Sequence, residues 1–302
     1  MRVLTQNLWG VRGAWELRRK VIQQGLAELK PDVVSLQEAI KTTDVDSAAD
    51  VLGKGFNVLF QSHPEPDGQT AAIASRWPIT AIHELDQHLT ERIDSAAVTL
   101  VAEVDAPAPI GPLLVVNHLP CWQLAFEYER ELQAKAAGLF VEELVGKRRI
   151  HVIVAGDLTD PPDSASVRFW TGRQSLFGAS VCYRDAWESA HPKEEGPTYV
   201  RDNPILADPD WPFRRLDYIL VRCGMHWGPT LAIKRCERVF DRPVDGVWAS
   251  DHFGVMADLE PPAGASATER GRGAQRPAMA SLSRARDREG NNQVPSAPIE
   301  EG

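Results

Sequence analysis

Short apolar segments, each bounded by polar or turn-forming residues, dominate the hydrophobic pattern of the chain. Runs of this length that are continuously apolar predict strands buried on both faces, because an alternating pattern would leave one face in water. Eight strands are expected, over residues 3–7, 33–37, 71–75, 97–104, 113–117, 152–155, 218–221 and 254–259.

Helical spacing of apolar residues interrupts this strand pattern twice. The first predicted helix runs from Leu17 to Leu29, and Pro31 ends it before the second strand. The second predicted helix covers about 124–144. Its expected inner face is Leu132, Ala136, Leu139 and Phe140, with Glu129, Arg130 and Lys135 nearer to water.

The mixture of strands and helices indicates an α/β architecture built in layers. The segments 71–75 and 97–104 resemble the two arms of a hairpin, which favours a mixed sheet over an all-parallel one.

Composition divides the chain into a domain and a tail. Residues 261–302 contain no aromatic residue and few large aliphatic ones, so they cannot bury enough surface to offset the entropy of ordering. We therefore expect one domain at 1–260 and a disordered tail at 261–302. The tail has six arginines against five acidic residues and so carries +1, which means that the domain carries -10 of the chain's net charge of -9.

Charge and hydropathy exclude several classes of protein. An acidic domain cannot be a basic coat for nucleic acid. No apolar run is long enough to cross a bilayer, and the first residues lack the apolar core of a signal peptide. We expect a cytoplasmic protein without a transmembrane segment, and no protein partner can be inferred.

Polar residues capable of chemistry follow or precede six of the predicted strands. Any one of them could simply cap a helix or start a turn. Six such positions together favour a cleft at one edge of a sheet. The residues are Asn7, Glu38, His118, Asp157, Asp217 and the neighbours Asp251 and His252.

Seven sequence blocks contain these residues in a fixed order. The blocks are Thr5-Gln6-Asn7-Leu8-Trp9, Ser35-Leu36-Gln37-Glu38, Ile73-Ala74-Ser75-Arg76-Trp77-Pro78-Ile79, Asn117-His118-Leu119, Gly156-Asp157-Leu158, Arg215-Leu216-Asp217-Tyr218-Ile219 and Ser250-Asp251-His252. In this order they resemble the endonuclease/exonuclease/phosphatase superfamily, which includes pancreatic-type deoxyribonucleases and abasic-site endonucleases. The resemblance implies a four-layer α/β sandwich, in which two mixed β-sheets pack face to face, helices flank them, and the active site lies at one end.

Three of these residues are candidate metal ligands. Asn7, Glu38 and Asp251 offer only oxygen ligands to a metal ion, which favours a hard cation such as Mg²⁺ or Mn²⁺. The resemblance implies that Asn7 and Glu38 are the primary ligands and that Asp251 assists. A cation there would neutralise charge on a phosphoryl oxygen.

The remaining residues are candidates for the chemical step. By resemblance, Asp157 orients or deprotonates the attacking water, His118 and His252 contact the scissile phosphate, and Asp217 orients one of these imidazoles. A carboxylate beside an imidazole fixes its tautomer and raises its basicity.

One position departs from the pattern of the superfamily. Gly156-Asp157 is usually followed by Phe-Asn, whereas this chain has Leu158-Thr159. Threonine supplies one hydroxyl close to the backbone, and an asparagine carboxamide supplies two donors on a longer arm. Thr159 is therefore a candidate catalytic residue with a changed or weakened role.

The sequence leaves the substrate open. Arg215 and Trp211 are candidate substrate contacts, and a basic patch could also include Arg76, Arg201 and Arg214. The leading hypothesis is a Mg²⁺-dependent phosphodiesterase or endonuclease that hydrolyses phosphodiester bonds, with nucleic acid as a possible partner. The alternatives are hydrolysis of a small soluble phosphate ester or a lipid headgroup, and a catalytically weak binding module on the same fold.

Overall fold

Two six-stranded β-sheets form the centre of the molecule in a computed structural model that describes residues 1–206, 212–224 and 228–262. The helices are α1 (Trp15–Leu29), α2 (Ser47–Leu52), α3 (Glu127–Val145), α4 (Ala165–Trp170) and α5 (Ala186–Ala190). The strands are β1 (Arg2–Asn7), β2 (Val33–Ile40), β3 (Asn57–Phe60), β4 (Gln69–Ser75), β5 (Ile79–Asp86), β6 (Val98–Val104), β7 (Leu113–Leu119), β8 (His151–Asp157), β9 (Tyr183–Asp185), β10 (Asp217–Arg222), β11 (Ala232–Val239) and β12 (Gly254–Glu260).

Both sheets are mixed. The first has the strand order β11-β12-β1-β2-β4-β3, and the second has the order β5-β6-β7-β8-β10-β9. Each contains one parallel pair, β1 with β2 and β7 with β8, and the other pairs are antiparallel. All eight predicted strands are present, and the mixed character is confirmed.

Three apolar layers hold the sandwich together. Alternate side chains of both sheets, such as Val3 and Ile153, meet in the core between the sheets. The opposite faces pack against helices: Val154 lies in a cluster with residues of α3 and α4, and Leu4 lies in a cluster with residues of α1 and α2. This confirms the predicted four-layer α/β sandwich.

Two sequence predictions about packing are wrong. Segments 71–75 and 97–104 do not form a hairpin, because β4 pairs with β2 and β3 while β6 pairs with β5 and β7 in the other sheet. Helix α3 also buries a different face from the expected one. Leu139 is exposed, whereas Arg130 and Gly138 are buried.

The buried face of α3 includes the small residues Ala134, Ala137 and Gly138, and α4 approaches the helix closely at Gly138. A side chain at Gly138 would begin within 2.8 Å of the Phe169 ring, so only a residue without a Cβ fits there. Arg130 is buried because it pairs with Asp160, whose oxygen lies 2.7 Å from its Nε atom. Hydrophobicity alone could not identify this face.

The predicted tail lies outside the described residues from position 263 onward. The boundary between domain and tail at 260 therefore stays a prediction. No helix in the described ranges is both long and apolar enough to cross a membrane.

Candidate active site

Strand pairing brings the polar strand ends to one edge of the sandwich. Asn7 and Glu38 lie at the ends of the parallel neighbours β1 and β2, and β12 begins beside the end of β1. In the second sheet, Asp157 and Asp217 are direct partners in the β8–β10 register. Asp157 and Asp217, which are 60 positions apart in the chain, thus become neighbours through backbone pairing, and the packing of the two sheets brings Asp157 to Asn7.

Asn7 links the two sheets. Its Nδ2 atom donates a hydrogen bond to Glu38 Oε1 at 3.0 Å and another to Asp157 Oδ2 at 3.0 Å. Its Oδ1 atom accepts the Trp9 N–H at 2.9 Å. Asn7 is fully buried, and in this orientation its amide nitrogen rather than its oxygen faces the carboxylates. The geometry therefore favours Asn7 as an orienting donor over its predicted place as a metal ligand.

A distorted backbone turns Glu38 towards the cleft. The register of β2 with β4 shifts between Leu36 and Ala39, and Glu38 has a φ of 50°. A left-handed conformation is costly for a residue with a Cβ and is found most often at functional sites. The distortion breaks the alternation of β2 and lets the Glu38 carboxylate reach Asn7.

Asp217 and His252 form a buried hydrogen-bonded pair. His252 Nδ1 lies 3.0 Å from Asp217 Oδ2 and 3.8 Å from Asp157 Oδ2. The Thr198 hydroxyl also donates to Asp217 Oδ2, at 2.6 Å. Burial lowers the pKa of His252, but the charges of Asp217, Asp157 and Asp251 outweigh it and raise the pKa well above its usual value. The imidazole is thus held as a cation.

Burial raises the pKa of two carboxylates of this site. Burial, with a contribution from Asp217, raises the pKa of Asp157 to about 7. Burial, with a contribution from the charge of Glu38, raises the pKa of Asp251 to about 6. These carboxylates are therefore poised to accept a proton or to be neutralised by a cation.

The donor set fits a hard divalent cation. Asp157, Asp217 and His252 place ligand atoms within 4.8 Å of one another, but His252 Nδ1 already faces Asp217, so a cation there would displace their hydrogen bond. Glu38 and Asp251 both line the cleft, and repulsion by the charge of Glu38 contributes to the raised pKa of Asp251. A cation held by these two carboxylates would remove that repulsion and would find the oxygen ligands it prefers.

The structure does not bring His118 into this hydrogen-bonded group. Its side chain points to the helix-covered face of β7, the same side as Val116, and its ring lies 5.6 Å from the Trp170 ring. His118 Nδ1 contacts the Thr99 hydroxyl at 2.9 Å. Burial lowers the pKa of His118 to about 3, so it is neutral near pH 7. The geometry does not favour its predicted contact with phosphate as a protonated imidazole.

Thr159 lines the cleft in a strained conformation. Its φ is 57°, a left-handed value that is unfavourable for a β-branched residue. The Thr159 N–H donates to Asp157 Oδ1 at 2.9 Å, and its hydroxyl donates to the Cys121 carbonyl at 3.1 Å. The hydroxyl is thus engaged below the cleft, while the backbone N–H holds the Asp157 carboxylate.

Of the two predicted substrate contacts, Arg215 and Trp211, the structure describes only Arg215. Arg215 is buried, and its Nη1 atom lies 2.6 Å from Asp185 Oδ2 while its Nε atom donates to the Glu195 carbonyl. Its guanidinium is therefore a structural ion pair and not a substrate contact, because both its charge and its donors are engaged inside the fold. Trp211 lies outside the described residues.

Arg12 and Arg18 lie near the site although sequence reasoning did not place them there, whereas Arg214 belonged to the basic patch that the sequence suggested. Arg12 Nη1 lies 2.8 Å from Glu38 Oε2, and Arg214 Nη2 donates to the Thr159 carbonyl at 3.1 Å. Arg18 is buried and donates to the carbonyls of Leu8, Gly10, Arg12 and Ala249, which joins the segment after β1 to the segment before Asp251. Only the closeness of Arg12 and Arg18 to the Asn7 block could have indicated them.

The cleft itself has a volume of about 560 Å³, which is within the range of small-molecule sites. Its walls combine carboxylates, two arginines and aromatic side chains. The lining residues include Trp9, Arg12, Glu38, Glu65, Asp67, Asp94, Trp122, Asp157, Thr159, Tyr199, Arg214, Asp251 and His252.

Solved structures of other proteins share the fold of this chain. Humanized TDP2 from D. rerio matches with a TM-score of 0.65 and 20% identity over 86% of this chain and 98% of that one. The human Nocturnin catalytic domain matches with a TM-score of 0.66 and 15% identity over 87% and 94%. A Bacteroides thetaiotaomicron mannosyl-6-phosphatase matches with a TM-score of 0.65 and 18% identity over 86% and 99%.

These structural likenesses establish the fold alone, because their sequence identities are low. No curated protein sequence matches the chain. The family model described as "Endonuclease/Exonuclease/phosphatase family", whose members hydrolyse phosphate esters and usually use a divalent metal ion, matches residues 4–252. The chain therefore belongs to the endonuclease/exonuclease/phosphatase family.

Proposed function

We propose that this protein is a Mg²⁺-dependent phosphoesterase that hydrolyses its substrate by attack of a water molecule on phosphorus. The observation that supports this most strongly is the meeting of two hydrogen-bonded sets at the cleft. Asn7 joins Glu38 to Asp157, Asp217 pairs with His252, and His252 Nδ1 lies 3.8 Å from Asp157 Oδ2. Together these sets contain both a candidate base and a candidate cationic donor.

Each residue has a distinct role in this proposal. Asp157, held by Asn7 and by the Thr159 N–H, orients the attacking water and accepts its proton. His252, kept protonated by Asp217, donates to a phosphate oxygen and stabilises the charge that develops in the transition state.

Glu38 and Asp251 would hold the cation. When bound, Mg²⁺ or Mn²⁺ would neutralise negative charge on the phosphate. Arg12, which pairs with Glu38, provides a further positive charge at the same wall of the cleft and would help to orient the phosphate.

Hydrolysis of bis-p-nitrophenyl phosphate tests the proposal directly. The wild-type protein should release p-nitrophenol with Mg²⁺ and not with EDTA, and Asp157→Ala should lower the rate by about 10²-fold or more. Asp105→Ala is the matched control, because Asp105 is exposed beyond β6 at the opposite end of the sandwich. Absence of Mg²⁺-dependent release, or equal loss in both variants, would refute the proposal.

A second measurement separates metal binding from chemistry. Titration of Mn²⁺ followed by water-proton relaxation should show weakened binding in Glu38→Gln and Asp251→Asn. Asp217→Asn should bind the ion nearly as well as the wild type while losing activity, because its carboxylate faces Thr198 and His252. Unchanged Mn²⁺ binding in Glu38→Gln would remove Glu38 from the metal site.

A further inference from the structure

The outer part of the cleft is acidic. Beyond the carboxylates of the proposed metal and water sites, Glu65, Asp67 and Asp94 also line it. Glu65 and Asp67 lie in the turn between β3 and β4, and Asp94 lies in the segment between β5 and β6. We call these three residues the acidic rim. They bring the lining to six carboxylates, against two arginines and the His252 imidazole.

The acidic rim is held in place by hydrogen bonds. Asp67 Oδ1 accepts the Gln69 N–H at 2.9 Å, and the Glu65 N–H donates to the Gln69 carbonyl at 2.8 Å. On the other side, Asp94 Oδ1 accepts from Gln123 Nε2 at 3.0 Å. The carboxylates of Asp67 and Asp94 are therefore held by hydrogen bonds, and the backbone of Glu65 is held in the same turn as Asp67, so a substrate that enters the cleft approaches all three charges.

The arginines near the cleft are engaged by other groups of the protein and are too few to balance six carboxylates. Arg12 is paired with Glu38, and the Arg214 guanidinium is bound to the Thr159 carbonyl. Of the other candidate arginines, Arg215 is buried against Asp185, and Arg76 donates from Nε to the Pro31 carbonyl. Binding to a nucleic-acid backbone needs several exposed Lys or Arg side chains that follow the path of the phosphates. The described residues that line the cleft do not offer them.

The rest of the wall suits an uncharged or cationic group. Trp9 lines the inner cleft, and Trp122, which is 55% exposed, lines the outer part beside Gln123. Aromatic faces stack on planar or sugar-like rings and attract cations, so they need no negative charge from the ligand.

We propose that this cleft selects small phosphate esters whose organic part is uncharged or cationic, and that Glu65, Asp67 and Asp94 exclude polyanions such as nucleic acid. This inference rests on the proposed function and specifies its substrate class. It reverses the sequence-based preference for a nuclease, because the charge that matters is the one at the mouth of the site.

The size of the effect follows from Coulomb's law. For rim charges about 10 Å from an added phosphate, three carboxylates in water should lower binding about tenfold in about 20 mM salt. Screening should reduce this to about threefold in about 150 mM salt.

Two thymidine esters that share one leaving group provide the test. Thymidine 5′-(p-nitrophenyl phosphate) and its 3′-phosphorylated form both release p-nitrophenol, and they differ only in the added negative charge. In low salt with Mg²⁺, the wild-type kcat/KM should be about tenfold lower for the 3′-phosphorylated ester, and the ratio should shrink as salt is added.

Two triple variants assign the effect to the rim. In the rim variant Glu65→Gln/Asp67→Asn/Asp94→Asn, the ratio of the two kcat/KM values should approach one. The substitutions are amides because an amide oxygen can still accept the hydrogen bonds that hold the rim. The control Glu28→Gln/Asp105→Asn/Glu260→Gln removes three carboxylates from exposed residues at the far end of the sandwich and should keep the wild-type ratio. A wild-type ratio near one, or equal shifts in both variants, would overturn the inference.

Failure of the proposed function has a different signature. If neither ester is hydrolysed, the proposed function fails, and calorimetric titration of thymidine 5′-monophosphate and thymidine 3′,5′-bisphosphate then decides the inference. Weaker binding of the bisphosphate that is relieved in the rim variant would support it. Equal or tighter binding of the bisphosphate to the wild type would overturn it.

Discussion

His118 should make the folded state sensitive to acid. Its ring is buried against Trp170, and its Nδ1 atom contacts the Thr99 hydroxyl. Burial lowers its pKa to about 3, whereas a histidine in the unfolded chain has a pKa near 6.5. Folding must therefore keep this imidazole neutral.

The sign and the magnitude follow from proton linkage. Below pH 6.5 the unfolded state binds a proton at His118 that the folded state does not, so stability falls as the pH falls. The slope is about 1.4 kcal/mol per pH unit, and the loss between pH 6.5 and 5 is about 2 kcal/mol. Above pH 6.5 the contribution of His118 is constant.

Buried carboxylates act in the opposite direction. Burial raises the pKa of Asp157 to about 7 and that of Asp160 to about 6, both above the value for an unfolded aspartate. Each binds a proton in the folded state first, so each adds stability as the pH falls from about 7 towards 4. The wild-type curve is therefore a sum, and only a comparison with a His118 variant isolates the histidine.

Urea unfolding of the wild type and His118→Asn at pH 7 and pH 5 measures this contribution. Asparagine keeps a partner for Thr99, and EDTA in every sample removes metal effects. The variant should be less stable at pH 7 because of the cavity, but it should lose about 2 kcal/mol less than the wild type on acidification. His63→Asn, at an exposed position, is the control.

Two results would refute this reasoning. One is an equal change in the free energy of unfolding for the wild type and His118→Asn between the two pH values. The other is an NMR titration in which the His118 ring protonates in the folded protein near pH 6.5. Either would restore His118 as a candidate cationic contact to phosphate.

Three further substitutions test the site and its support. Asp217→Asn should lower kcat/KM for bis-p-nitrophenyl phosphate by about 10²-fold or more because His252 loses its counter-charge, and an unchanged rate would exclude this pairing from the mechanism. Thr159→Asn should raise the free energy of unfolding by about 0.5–1 kcal/mol in urea, because asparagine tolerates a left-handed backbone, and it should change turnover more than Mn²⁺ affinity. A loss of stability would show that the bond from the Thr159 hydroxyl to Cys121 outweighs the strain. Arg18→Lys should cost about 3 kcal/mol in the same assay because several buried carbonyls lose their donors, and a cost below about 1 kcal/mol would contradict this.

Local pattern was sufficient for the buried strands and the two long helices. Strands such as β8 are continuous apolar runs, so any sheet that contains them must be covered on both faces. The strands that were missed lack this signal: β5 alternates between half-buried and exposed residues, and β9 has three residues. The inner face of α3 was predicted wrongly because close packing at Gly138 outweighs hydrophobicity.

In the candidate site, too, some residues were identified from local pattern and others were misjudged because packing decides where their side chains point. The sequence indicated Asn7, Glu38, Asp157, Asp217, Asp251 and His252 through their order and their positions at strand ends, and the described structure places them around one cleft. His118 and Arg215 are equally plausible for phosphate chemistry by residue type. Their side chains are nevertheless turned into the core, by the alternation of β7 and by the ion pair with Asp185.

The sequence by itself determined the family, the layered fold and the chemistry available at the strand ends, because each follows from residue type and order. Only the tertiary structure decided the direction of the Asn7 amide, the left-handed turn at Glu38 and the acidic rim of the cleft. Those features depend on side chains from distant segments that meet in space. Since electrostatic and hydrogen-bond energies fall steeply with distance, such meetings decide which charges a substrate encounters.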